Sequence, residues 1–265
     1  MFFLSYALGA CGSGSFEENN LLNLNELHVV DAESIEIKAD AKLSELCPST
    51  LPCVEAVSDF LNDHWSWQLD RRFSWELNYF KTFLAAGYFL DSYEKQLNET
   101  SVALLRKSTR QIKISHITLS KVNKIFKGIG NYNHVINGTV FVNNVISPPE
   151  FLHELGHVVD NKNVKYSFLK PGGAAVWGGG LGDKMFKDVG LNPKLCFLRF
   201  DCRRTQKRSW QEIIADQQGE LPPTTYAYIG PSEDFADSFK FLILGELKSK
   251  AEKRFEYFEK TFVRY

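Results

Sequence analysis

Apolar residues along this chain recur at two different spacings, and each spacing predicts a different kind of element. Over residues 111–117, Gln-Ile-Lys-Ile-Ser-His-Ile alternates in steps of two, which predicts a strand over 112–119 with His116 on the solvent side, opposite the isoleucines. A second strand is expected over 138–145 and a short one over 34–39. Helical spacing covers 54–61 and again 75–107, where Gly87 should break or kink the helix. Near the end, Phe255, Phe258 and Phe262 recur at helical intervals, so 246–264 should pack as a closing helix. Residues 171–182 are too glycine-rich for regular structure and read as a connector, or as a lid with Trp177 at its tip. No repeat or heptad is visible. Strands and helices in this order predict an α+β fold.

The stretch after the second long strand carries the chemistry. Ser147-Pro148-Pro149-Glu150 has the form of a helix start, with Ser147 as N-cap, Pro148 at the tolerated first position and Glu150 completing a capping box. Phe151, Leu152, Leu155, Val158 and Val159 supply apolar faces, and residues 160–163 read as the end. On that helix lies His153-Glu154-Leu155-Gly156-His157. Two histidines four apart share one face and can ligate one metal ion, while Glu154 stands beside the open coordination position. A core helix with two satisfied histidines is the competing reading, but two His and a Glu are poor core residues.

A catalytic zinc site usually takes three protein ligands and leaves the fourth position to water. The candidate third ligand is Glu233, in a segment with Pro231 near its start and an apolar run over 239–244 that suggests a second helix. Asp237, four residues on, shares its face. It is placed to accept the free ring N–H of a ligating histidine, fixing the tautomer and raising basicity. A solvated acidic helix face is the alternative for this pair.

The string HELGHVVD, followed by Tyr-Ala-Tyr-Ile-Gly-Pro-Ser-Glu-Asp-Phe-Ala-Asp-Ser-Phe over 226–239, resembles the catalytic domain of anthrax lethal factor and its relatives, which include bacterial Pro-Pro endopeptidases. The resemblance spans residues 140–245. It implies a zincin-type zinc peptidase in which Glu233 is the third ligand and Tyr226 points at the site. The family commonly has Glu where this chain has Asp237, so the carboxylate is kept with a shorter reach.

Residue chemistry gives the same expectation: one Zn2+ per chain, Glu154 taking the proton of an activated water, and a tyrosine hydroxyl stabilising the oxyanion. Tyr226 is the first choice for that hydroxyl and Tyr228 its rival. Strand residues 139–143 either pair with extended peptide substrate or lie inside a sheet. His28, His64 and His134 lack partners at metal-ligand spacing.

With 265 residues and 44% hydrophobic content, the chain can bury one substantial core, so one catalytic domain over 34–265 is expected. A net charge of -1 gives no reason to propose nucleic acid, and the basic run Arg203-Arg204-Thr205-Gln206-Lys207-Arg208 reads as a solvated loop. Residues 1–11 are apolar and end in Leu8-Gly9-Ala10-Cys11, which resembles a bacterial lipobox with Cys11 lipidated, although the usual positive start is missing. A buried N-terminal strand is the alternative there. Residues 12–33 would then be a flexible tether. Cys47, Cys53, Cys196 and Cys202 form two close pairs; local disulfides are the simplest of three connectivities and imply an oxidising compartment. The Asn98 and Asn137 sequons are coincidental in such a protein.

The sequence therefore predicts an exported, lipid-anchored, monomeric zinc metallopeptidase acting on peptides or proteins. The alternatives are a non-catalytic binding lipoprotein of the same fold and a zinc hydrolase of cell-wall peptide.

Overall fold

The computed structural model describes residues 30–48, 53–120, 133–136, 138–143, 146–162, 181–192 and 209–262. The lipobox, Cys196, Cys202, the basic run and all but the last two residues of the glycine-rich segment lie outside them. The described residues form an α+β structure with a four-stranded mixed sheet. None of their helices is long and apolar enough to cross a membrane.

Helix α1 (Ala32–Leu46) occupies the place expected for a tether end and a short strand. Its residues alternate locally, but Ile35 and Ala39 are buried while Ile37 is 62% exposed. Burial thus follows the four-residue period, and the Asp31 side chain accepts from the Ser34 amide at 3.2 Å to cap the helix. Cys47, just after α1, is disulfide-bonded to Cys53 at the start of α2 (Val54–Trp65).

Helix α3 (Leu77–Glu94) runs straight through Gly87. A Cβ there would lie 2.5 Å from the Trp65 indole, so the glycine makes room for a tryptophan and does not kink the helix. The break comes instead at residues 95–98, where Asn98 accepts from the Ser101 amide at 2.9 Å and starts α4 (Glu99–Thr109).

The sheet is built from β1 (Trp67–Leu69), β2 (Ile112–His116), β3 (His134–Ile136) and β4 (Thr139–Val142), in the order β1-β2-β4-β3. β1 and β4 run parallel to β2, with Ile114 opposite Leu69 and Val140, while β3 is antiparallel to β4. β4 therefore has neighbours on both sides, and its backbone offers no free edge for a peptide. His116 also differs from expectation. Two residues on from Ile114, it lies on the isoleucine face and not opposite it, and its ring is buried there, stacked on Phe73 at 3.8 Å between centroids.

Against that same face packs α5 (Pro148–Lys162), whose Phe151 meets Trp67 of β1 and Phe83 of α3. Thr82 of α3 donates to the Ile146 carbonyl at 2.8 Å and fixes where the chain enters α5. The remaining helices are α6 (Leu181–Asp188), α7 (Trp210–Asp216), α8 (Pro231–Ile243), α9 (Leu247–Lys250) and α10 (Glu252–Phe262). The expected closing helix is thus two helices parted at Ala251, and Phe255, Phe258 and Phe262 are buried in the second. One hydrophobic core runs from Val30 to Phe262. Inside it, Arg254 of α10 pairs with Asp234 of α8 at 2.8 Å and with Glu220 at 2.9 Å. Trp210 Nε1 donates to the same Asp234 carboxylate at 2.9 Å, locking α7, α8 and α10 together.

Candidate metal centre

The helix bearing His153 and His157 begins where the sequence places it. Ser147 N donates to Glu150 Oε2 at 2.7 Å while Glu150 N donates to Ser147 Oγ at 3.4 Å, the reciprocal pair of a capping box. Phe151, Leu152, Leu155, Val158 and Val159 are fully buried, so the histidines are carried on a helix that cannot rotate without exposing its apolar side.

Opposite lies α8, held at unusually short range. A Cβ on Gly156 would lie 2.7 Å from Ala236 Cα and 2.9 Å from its carbonyl oxygen. Only the absence of a side chain at Gly156 allows this approach, and it brings Glu233 to both rings. Glu233 Oε2 is 3.0 Å from His153 Nε2 and 3.3 Å from His157 Nε2.

This group is able to hold a metal ion. The three ligand atoms lie within 4.8 Å of one another. Two bonds of about 2.0–2.1 Å at a tetrahedral angle put their ends roughly 3.3 Å apart, close to the 3.0 and 3.3 Å from Glu233 to the two rings. Each Nε2 faces the shared point, and each Nδ1 is turned to a partner behind it. His153 Nδ1 donates to Asp237 Oδ1 at 2.7 Å, and His157 Nδ1 lies 3.1 Å from Ser232 Oγ. Such partners fix ring orientation and tautomer. Glu154 stands between the histidines in sequence. It is buried, and among the described residues its Oε2 has no hydrogen-bond partner. A buried carboxylate oxygen left unpartnered is costly unless something else is meant to meet it.

The electrostatics are those of a tightly coupled ionic cluster. Burial opposes charge on His153, but hydrogen bonds to Asp237 and Glu233 outweigh it and hold its pKa at about 9. His157 is likewise raised, burial being overcome by the Glu233 charge. Glu233 is held well below the usual carboxylate range despite its burial, by the two imidazoles. Asp237, also against burial, is brought down to about 2 by its bond to His153 and the charge beside it. Glu154 goes the other way, pushed up by burial. Without metal the cluster favours the protonated form of both rings, and metal binding works against that preference.

Tyr226 opens a short 3-10 helix (Tyr226–Ile229) before α8. Its ring packs edge-on against His153 at 5.6 Å, and burial of its hydroxyl end beside Glu233 and Glu154 raises its pKa. The residue as a whole is 52% exposed, so the ring forms part of the wall of an open cleft. That cleft, about 340 Å3, is lined by His153, Glu154, Tyr226, Thr224 and Lys240. Tyr226, then, is the tyrosine against the cluster, and Tyr228 is the half-buried neighbour.

Comparison with protein-family models, curated proteins and solved structures gives no match. The two motifs and the geometry thus carry the functional argument alone.

The structure brings His153, Glu154, His157, Tyr226, Glu233 and Asp237 together. It adds residues that sequence reasoning missed. Ser232 and Thr224, whose hydroxyls meet His157 and Asp237, leave no pattern by which to find them. Lys240 donates to Asp237 Oδ1 at 2.6 Å, and its spacing of three on a predicted helix was a usable signal. Gly156 was visible inside the motif, but its role as the contact point with α8 depends on a partner helix that spacing cannot reveal. A larger cavity of about 690 Å3 lies on the far face of the sheet, around Lys113, Phe141 and Arg72, and contains none of these groups.

Proposed function

We propose that this protein is a zinc-dependent metalloendopeptidase of the zincin type, related to the lethal factor catalytic domain. The observation that carries the proposal is the pairing of a His153–His157–Glu233 cluster at metal-ligand spacing with a buried, unpartnered Glu154 oxygen beside it. A site built only to hold a structural ion has no use for that fourth group.

His153, His157 and Glu233 would hold the ion, with both Nε2 atoms and a Glu233 oxygen turned to one point. Zinc, when bound, supplies Lewis acidity that polarises a carbonyl and makes water acidic near neutral pH. Glu154 accepts the water proton on its free oxygen and returns it to the leaving amine. Its burial beside the two imidazoles, with one oxygen unpartnered, places it for both halves of that task. The Tyr226 hydroxyl, on a ring packed against His153, donates a hydrogen bond to the oxyanion of the tetrahedral intermediate. Asp237 holds His153 in the tautomer that turns Nε2 toward the ion, and Ser232 does the same for His157. The open cleft admits peptide from solvent.

The Cys47–Cys53 disulfide supports an exported protein, and lipid anchoring at Cys11 would attach it to a membrane. We read it as a monomer acting on peptide or protein, without nucleic acid.

The test is cleavage of a broad peptide library by the zinc-loaded protein beside Glu154→Gln, with products identified by mass spectrometry. Cuts made by the native protein and absent from the variant are expected. No cuts from either protein, while both hold zinc, would turn the reading toward cell-wall peptide or a binding role.

A further inference from the structure

The Asp237 carboxylate is shared in an unusual way. One oxygen, Oδ1, accepts from both His153 Nδ1 at 2.7 Å and Lys240 Nζ at 2.6 Å. The other, Oδ2, accepts from the Thr224 hydroxyl. Asp237 is essentially inaccessible, and the Lys240 side chain is only 16% exposed, with its ammonium held over the Phe241 ring at 4.5 Å. An ordinary pair at a spacing of three on a helix surface is fully solvated and contributes little. This one is largely shielded from solvent, and it ends on the atom that orients a ligand.

A carboxylate behind a metal-bound imidazole pushes electron density toward the metal through the ring. An ammonium on the same oxygen withdraws part of it, and its charge also repels a nearby cation. Resting on the metal-centre reading above, we propose that Lys240 is a positioning residue that weakens zinc binding at His153 and so keeps the ion electrophilic. Asp237 and Lys240 then act with opposite sign. Asp237 tightens the site by orienting the ring, and Lys240 limits how far that tightening goes. Thr224 keeps the carboxylate in place when Lys240 is changed, so the charge can be removed without freeing the aspartate.

The experiment measures zinc dissociation constants of the full chain by competition with a chromophoric chelator, at one fixed pH, for the native protein, Lys240→Met, Lys240→Arg and Asp237→Asn. Lys240→Met keeps most of the stem and loses the charge, and should bind zinc about tenfold more tightly, at the low end of effects from residues behind metal ligands. Lys240→Arg keeps the charge and should stay close to native. Asp237→Asn should bind about 10- to 100-fold more weakly. A purely structural lysine would leave affinity unchanged or lower it, and would show no rescue by arginine. Native zinc binding with Lys240→Met equal to it or weaker overturns the inference. If Lys240→Met does not fold, judged by circular dichroism of the zinc-free protein, Lys240→Gln carries the comparison with the same expected direction. Absence of zinc binding by the native protein would instead defeat the metal-centre reading itself, a distinguishable failure.

Discussion

Replacing Gly156 with alanine puts a methyl group where α5 and α8 already touch. The new carbon would lie 2.7 Å from Ala236 Cα, 2.9 Å from its oxygen and 3.2 Å from its carbonyl carbon. Carbon pairs rest at about 3.5–4.0 Å, so the helices must part by about 1 Å. All the close contacts are backbone, and no side-chain rotation relieves them. Overpacking of this kind costs about 1–3 kcal/mol, against a gain of about 1 kcal/mol from replacing glycine within a helix. Stability should fall by roughly 1 kcal/mol. The metal site should suffer far more. Gly156 directly precedes His157, and Ala236 lies between Glu233 and Asp237, so the same opening lengthens the 3.0 and 3.3 Å separations from Glu233 to the rings. Metal bonds tolerate about 0.2 Å, so one ligand is lost and zinc affinity should drop by about 100-fold or more. Urea unfolding of the zinc-free protein and chelator competition give the two numbers. Near-native zinc affinity, or a more stable variant, would refute the claim that close helix contact builds the site.

Three further outcomes follow from the same geometry. Tyr226→Phe removes one oxyanion donor and should lower kcat by about 100- to 1,000-fold with KM little changed, measured by steady-state peptide cleavage; an equal rise in KM with kcat intact would assign Tyr226 to binding. In the zinc-free protein, His153 is raised from 6.5 to about 9, so the stability it contributes is complete below pH 6.5 and lost as pH rises through 9. Asp237, lowered from 3.8 to about 2, contributes stability present above pH 3.8 and lost as pH falls through 2. Melting temperature should therefore be highest between those limits, and zinc binding at pH 7 should release protons in calorimetry across buffers; no proton release would contradict the coupling. Arg254→Met leaves Asp234 buried beside Trp210 without its cation and should cost about 3–5 kcal/mol in urea unfolding, whereas a loss under about 1 kcal/mol would mean Asp234 is neutral in the native protein.

Much of the site was legible because its residues sit on strongly patterned helices. The capping box at Ser147 and Glu150, the buried face of α5 and the four-residue spacings of His153–His157 and Glu233–Asp237 all follow from the helix period alone. Reading failed where two periods compete or where a distant partner decides. Residues 34–39 alternate like a strand, yet Asp31 caps them into a helix whose Ile37 is left exposed. Gly87 has the look of a helix breaker until Trp65 is seen to fill its space. His116 falls in step with Ile112 and Ile114, so its buried side follows from the two-residue period, and only its stacking on Phe73, more than forty residues earlier in the chain, has no local signal. β1 is too short for any period. The Asn137-Gly138 pair at the β3–β4 connection is a strong hairpin signal as well as part of a sequon, and Gly138 takes a φ of 73°.

The central claim is that one zinc ion sits on His153, His157 and Glu233 and that Glu154 is not among its ligands. Native mass spectrometry of the zinc-loaded protein, counting metal ions per chain in the native form, Glu154→Gln and the His153→Ala/His157→Ala double variant, tests it most directly. One ion in the first two and none in the third is the predicted result. Zinc retained by the double variant, or lost from Glu154→Gln, would contradict it.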